Sequence, residues 1–148
     1  MEVCEAGPVL GGQMRLAAFP PGKGDITNLM RSLITLCEKE GVTFRLGTEV
    51  TEDLIRGEAP DALVLATGAR PLRPDIPGLA EAGAVDAVDV LDGKAVCGRN
   101  VLLVGGGMVG SETADFLAER GFQVTVVELR DQVAADVVSE HRLFLMKS

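Results

Sequence analysis

Cysteine, histidine and positive charge are all scarce in this chain. Its three cysteines, Cys4, Cys37 and Cys97, lie far apart and form no CxxC pair. That excludes a zinc ribbon, an iron–sulfur cluster and a CxxC redox centre within this stretch. An odd, sparse cysteine count suits a reducing cytoplasm. His141 is the only histidine, so histidine catalysis would rest on it alone, and a lone histidine is more often a surface residue. No apolar run approaches the ~20 residues needed to span a bilayer, and no signal-peptide pattern opens the chain. Lys and Arg number 14 against 22 Asp and Glu, for a net charge of −8. That balance argues against a nucleic-acid partner, which needs clustered positive charge. What remains is 148 residues, 47% of them apolar, enough for a core in one ordinary domain or two small ones.

The clearest pattern starts at Asn100. Val101-Leu102-Leu103-Val104 is a short apolar run that predicts a buried parallel strand. Three glycines follow, then a predicted helix from Met108 to Arg120 stopped by Gly121. Glu112, Asp115 and Glu119 fall on its expected polar face, with Gly110, Ala114 and Leu117 on an apolar stripe. Gln123 to Val127 predicts a second strand, closed by Glu128. This is a βαβ unit.

The first half repeats the theme less cleanly. Glu2 to Glu5 predicts a strand end, and Gly7-Pro8 and Gly11-Gly12 a turn region. Phe19-Pro20-Pro21-Gly22 predicts a loop. Leu29, Leu33, Leu36 and Cys37 sit at helical spacing between Asn28 and Glu40, before Gly41 and a strand from Val42 to Leu46. A short helix is expected after Thr51, and a buried strand over Ala62-Leu63-Val64-Leu65. Arg70-Pro71 to Pro77-Gly78 is a proline-rich crossover and a candidate boundary; one or two helical turns are expected between Asp86 and Leu91.

Gly105-Gly106-Gly107-Met108-Val109-Gly110 fits G-x-G-x-x-G between a strand and a helix. Gly105 permits the tight turn, Gly107 the approach of a pyrophosphate, and Gly110 close packing of helix on strand. The helix N-terminus presents free N–H groups to that anion. Glu128 stands about 20 residues further on, where an acid accepts hydrogen bonds from a ribose. A carboxylate there suits a 2′-hydroxyl and repels a 2′-phosphate, favouring NAD(H) over NADP(H). Arg130 could support the phosphate instead, or be a solvated surface charge. Leu65-Ala66-Thr67-Gly68-Ala69 is either a strand-ending turn or a close approach to a ligand. Glu5 ends its strand as Glu128 ends the other, and two such acids suggest two nucleotide sites.

Gly11-Gly12-Gln13-Met14-Arg15-Leu16-Ala17-Ala18, Pro20-Pro21-Gly22-Lys23, Ala66-Thr67-Gly68 and Val104 to Gly110 together resemble one group of two-dinucleotide-binding-domain flavoproteins. It is the C-terminal region of the NADH:flavin oxidoreductases related to 2,4-dienoyl-CoA reductase and trimethylamine dehydrogenase. The resemblance implies an α/β fold of Rossmann-like parallel sheets with two incomplete dinucleotide-binding halves. Residues 1–98 would be a partial FAD- or ADP-binding half lacking its first strand and glycine loop, and residues 99–148 a partial NAD-binding βαβ half. It implies that Glu5 binds the adenosine ribose of FAD or ADP and that Gly11, Gly12 and Gln13 lie along that cofactor. Val50 would meet the adenine through its backbone, and Thr67 and Gly68 would approach from the strand end. Gly105, Gly107, Gly110 and Glu128 would hold NAD. In that family FMN and an iron–sulfur cluster belong to a preceding barrel; NAD(P)H reduces FAD, and electrons pass through the cluster to FMN and then to an enoyl substrate.

No catalytic acid or base and no metal ligand is expected, since the cofactors do the hydride chemistry. Three functions stay open: part of a flavin-dependent NADH oxidoreductase, inactive on its own; a non-catalytic ADP- or NAD-binding module; and an inactive fragment stable only by association. Bare strand edges predict a homodimer or pairing with the remainder of a parent flavoprotein. The competing arrangement is a tail, Val133 to Ser148, folded over the edge through Leu143, Leu145 and Met146.

Overall fold

The computed structural model describes residues 1–136. His141, Leu143, Leu145 and Met146 lie outside the described residues, as does the tail beyond Asp136. The chain divides into two compact units, one of residues 1–18 and 24–70, the other of residues 19–23 and 71–148.

The first unit runs β1 (Glu2–Glu5), α1 (Gly12–Ala17), α2 (Asp25–Lys39), β2 (Thr43–Leu46) and α3 (Glu52–Glu58). β1 and β2 pair in parallel, Glu2 opposite Thr43 and Glu5 opposite Leu46. α2 starts with Asp25 and ends with Lys39, each the charge its end of the helix dipole favours. A Schellman closure stops it. Gly41, at φ +75°, donates to the Glu38 carbonyl at 3.1 Å, and Val42 donates to Cys37 at 2.9 Å. Thr51 caps α3, its hydroxyl accepting from Leu54 N at 3.2 Å.

The second unit runs α4 (Ala87–Leu91), β3 (Asn100–Val104), α5 (Met108–Glu119) and β4 (Gln123–Val127). β3 and β4 are parallel, Asn100 opposite Gln123 and Val104 opposite Val127, so both strands end at one level. α5 also closes with a Schellman motif: Gly121, at φ +81°, donates to Ala118 at 2.9 Å and Phe122 to Leu117 at 3.2 Å. The core of this unit is Leu91, Phe116 and Leu117, flanked by Val90, Val101, Phe122 and Val124. Arg120 lies 3.5 Å over the Phe116 ring. Arg73 grips Asp86 with two hydrogen bonds, at 3.1 and 3.0 Å, and holds the segment leading into α4.

This is a mixed α/β, Rossmann-like architecture of small parallel sheets. Four expectations need correction. Ala62 to Leu65 forms no strand and is exposed, because among the described residues it pairs with no other strand. β3 is not buried throughout. Val101 and Leu103 turn inward while Leu102 and Val104 are exposed, since α5 covers one face of the pair. Glu112 is not on a solvated face but buried, beside Thr113, Phe116 and Leu117. Gly12, expected in a turn region, instead opens the short helix Gly12–Ala17, with Gly11 at φ +107° before it. Among the described residues, no helix is long and apolar enough to cross a membrane.

Candidate functional site

β3 ends in the glycine loop. Gly105 N donates to the Val127 carbonyl at 2.8 Å, fastening the loop to the end of β4. Gly105 stands at φ +99°, a conformation that costs a side-chain-bearing residue roughly 1–2 kcal/mol. A Cβ on Gly110 would lie 1.9 Å from the Gly105 carbonyl oxygen and 3.1 Å from Leu103 Cδ2. The first turn of α5 therefore sits directly on the backbone of the strand end, and only glycine permits it. α5 has an extended N-cap, Gly107, with no side-chain cap and no acidic residue in its first turn. Its leading N–H groups lack intrahelical partners, which is what a phosphate oxygen requires.

Glu128 is drawn into this loop. Its Oε2 accepts from Gly106 N at 2.7 Å and its Oε1 from Arg130 N at 2.9 Å. Those backbone donors, Arg130 first and then Gly106, hold its carboxyl below the ordinary carboxylate value. Each oxygen keeps a further lone pair for a ligand hydroxyl. The structure thus brings Gly105, Gly107, Gly110 and Glu128 together at the ends of two adjacent parallel strands.

Within the same unit Lys23, from the Pro-Pro-Gly-Lys loop, pairs with Glu112 of α5. The Glu112 side chain is 10% exposed and that of Lys23 32%. Burial of a carboxylate at this depth requires such a partner. Neither residue stood out as half of a pair in the sequence, because 89 positions separate them.

In the first unit Glu5 holds a similar place at the end of β1. Its Oε1 accepts from Gly7 N at 2.6 Å, two residues on, as Glu128 accepts from Arg130. Gln13 Nε2 donates to the Ala69 carbonyl at 2.7 Å, and a Cβ on Gly68 would meet Gln13 Oε1 at 3.8 Å. The Gly11-Gly12-Gln13 segment and the Thr67-Gly68 turn are therefore neighbours. Val50 is exposed beyond β2, where Thr48 N donates to the Glu5 carbonyl at 2.9 Å. Among the described residues no group of three His, Cys, Asp or Glu side chains could hold a metal, and Cys4, Cys37 and Cys97 are free.

Residues 23–148 match the family model described as pyridine nucleotide-disulphide oxidoreductase. The chain belongs to that family. It is 36% identical over 139 residues to the bilirubin reductase of Mediterraneibacter gnavus, covering 94% of this chain and 22% of that protein. It is 37% identical over 142 residues to an NADH oxidase of Thermoanaerobacter brockii, covering 93% and 22%. A solved 2-naphthoyl-CoA reductase complex superposes with a TM-score of 0.94 at 33% identity, over 99% of this chain and 22% of that one. The chain spans about a fifth of the length of these relatives.

Proposed function

We propose that this chain is the nicotinamide-nucleotide-binding part of a flavin-dependent NADH oxidoreductase resembling 2,4-dienoyl-CoA reductase and trimethylamine dehydrogenase. One observation carries the reading: Glu128 is bonded to the glycine loop at the ends of β3 and β4, beside the first-turn N–H groups of α5. Gly107, which the Asp136 carboxylate faces, has no side chain of its own to bar a pyrophosphate, and Gly105 and Gly110 hold the turn against the helix. Glu128, held as an anion, accepts from a ribose 2′-hydroxyl.

Glu5, Gly11, Gly12, Gln13, Val50, Thr67 and Gly68 are proposed to line an FAD or ADP site. The contact of Gln13 with the Gly68-Ala69 turn supports their acting as one group. We assign residues 1–98 to that half and residues 99–148 to the NAD half. The bound groups supply the hydride transfer from nicotinamide to flavin, and the chain's own residues orient them. FMN and an iron–sulfur cluster, as in that flavoprotein group, would belong to another part of the parent protein. Relatives named NADH oxidase and bilirubin reductase support a reductase that draws on NADH.

Titration with NADH and NADPH, followed by nicotinamide fluorescence, tests the reading. NADH should bind about tenfold or more tightly than NADPH, since the phosphate forfeits a ribose hydrogen bond and meets a carboxylate. Glu128→Ala should narrow the gap. Tighter binding of NADPH to the unaltered chain would make Arg130 the reader and overturn the assignment to NADH.

A further inference from the structure

Met108 opens α5, and its N–H points to Asp136, 3.4 Å from Oδ2. The same carboxylate crowds the face of the loop that glycine keeps clear. A Cβ on Gly107 would lie 2.9 Å from Asp136 Oδ2 and 3.3 Å from Oδ1. The segment carrying Asp136 is itself seated on the loop. Ala134 N donates to the Gly106 carbonyl at 2.6 Å, and Ala134 is fully buried at φ +54°. Val133 Cγ1 would stand 3.4 Å from a Cβ on Gly106. Residues 133–136 thus form a strap across the glycine loop, with a carboxylate at the positive end of α5.

We propose that Asp136 is an internal occupant of the anion seat, which must withdraw before a dinucleotide pyrophosphate can take the Met108 N–H. The proposal rests on the reading of this loop as a nucleotide site. The donors of a first helical turn serve a carboxylate and a phosphate alike, but two anions at one N–H repel. α5 carries no acidic residue in its own first turn, so the capping charge comes from the strap. Asp136 is exposed and its contact is long, so the seat is held weakly enough for a ligand to win it. Apparent affinity for the nucleotide falls by the fraction of molecules in which the seat is open.

The test is an NADH titration of the full chain, by nicotinamide fluorescence, in four forms: unaltered, Asp136→Asn, Asp136→Ser and Asp131→Asn. Asp131 is exposed in the adjoining part of the segment and controls for net charge alone. Both Asp136 variants should bind NADH about two- to fivefold more tightly, the range a carboxylate at a helix end accounts for. Asp131→Asn should bind as the unaltered chain does. Unchanged or weaker binding in both Asp136 variants overturns the proposal while leaving the nucleotide site intact. An equal gain in Asp131→Asn also overturns it, assigning the effect to bulk charge. Failure of all four forms to bind NADH overturns the nucleotide reading, and the proposal with it.

Discussion

The α2–Gly41–β2 run of the first unit and the α5–Gly121–β4 run of the second stop a helix and start a parallel strand with the same backbone device. In each, a left-handed glycine donates to the second-last helical carbonyl and the next residue to the third-last. Yet the two helices fare differently. α2 has the sharper apolar stripe, and Leu29, Leu33 and Leu36 are each about half exposed. None of the first unit's residues is buried. α5 has the weaker stripe and buries Glu112, Thr113, Phe116 and Leu117. The difference lies in what each helix meets. α5 lies over β3 and β4 and touches α4, whereas α2 contacts only the short α1 among the principal packings. Local patterning sets where a helix begins and ends; burial needs a second layer.

The comparison breaks most sharply at Gly110. Gly110→Ala drives a methyl into the Gly105 carbonyl, and backbone cannot yield as a side chain tip does. We expect a loss of about 3 kcal/mol. Hydrogen exchange should quicken through β3, α5 and β4 more than in β1 and β2. Equal acceleration in both units would show that they unfold as one. Gly12→Ala is the counterpart in the first unit. A Cβ there meets nothing within 4 Å, so only the φ of +44° opposes it.

Lys23→Met comes next. It leaves the Glu112 carboxylate buried without its cation, and we expect about 2 kcal/mol lost in urea unfolding. Lys23→Met with Glu112→Leu should recover most of the loss, because an apolar pair of similar size satisfies the same space. Failure of the double variant to recover would mean that the pair is not the source of the loss. In the first unit, Thr51→Ala removes a cap from an exposed helix and should cost about 1 kcal/mol.

The sequence made the punctuation of both units legible, and the glycine loop with it. Gly41 and Gly121 mark helix stops, Thr51 a start, and Gly105 to Gly110 a strand-to-helix turn, because each rests on backbone rules that act within a few residues. Lys23 with Glu112, and Asp136 with Met108, were not legible, since contacts across 89 and 28 positions follow from the fold. Ala134 in a left-handed conformation carries no composition signal, alanine being a poor occupant of that region. Ala62 to Leu65 misled for the opposite reason. An apolar run promises a buried strand, but a strand exists only where another strand pairs with it.

The smallest expected effect separates the two strand-end acids. Glu128 accepts two backbone N–H groups through its two oxygens, whereas Glu5 accepts that of Gly7. The Arg130 and Gly106 donors lower the Glu128 carboxyl below its ordinary 4.5 in the folded chain. A depressed folded value means that the ionised group favours the folded state. That contribution is present above pH 4.5 and is lost as pH falls through the folded value. Glu128→Gln should therefore lower the urea midpoint near neutrality, and the gap from the unaltered chain should close progressively below pH 4.5. Glu5→Gln keeps an amide oxygen for its single backbone donor, Gly7 N, and should open a smaller gap near neutrality. A Glu128→Gln deficit that stays constant as pH falls would trace the loss to altered packing of the loop rather than to the anion, and would remove the electrostatic distinction between the two strand ends.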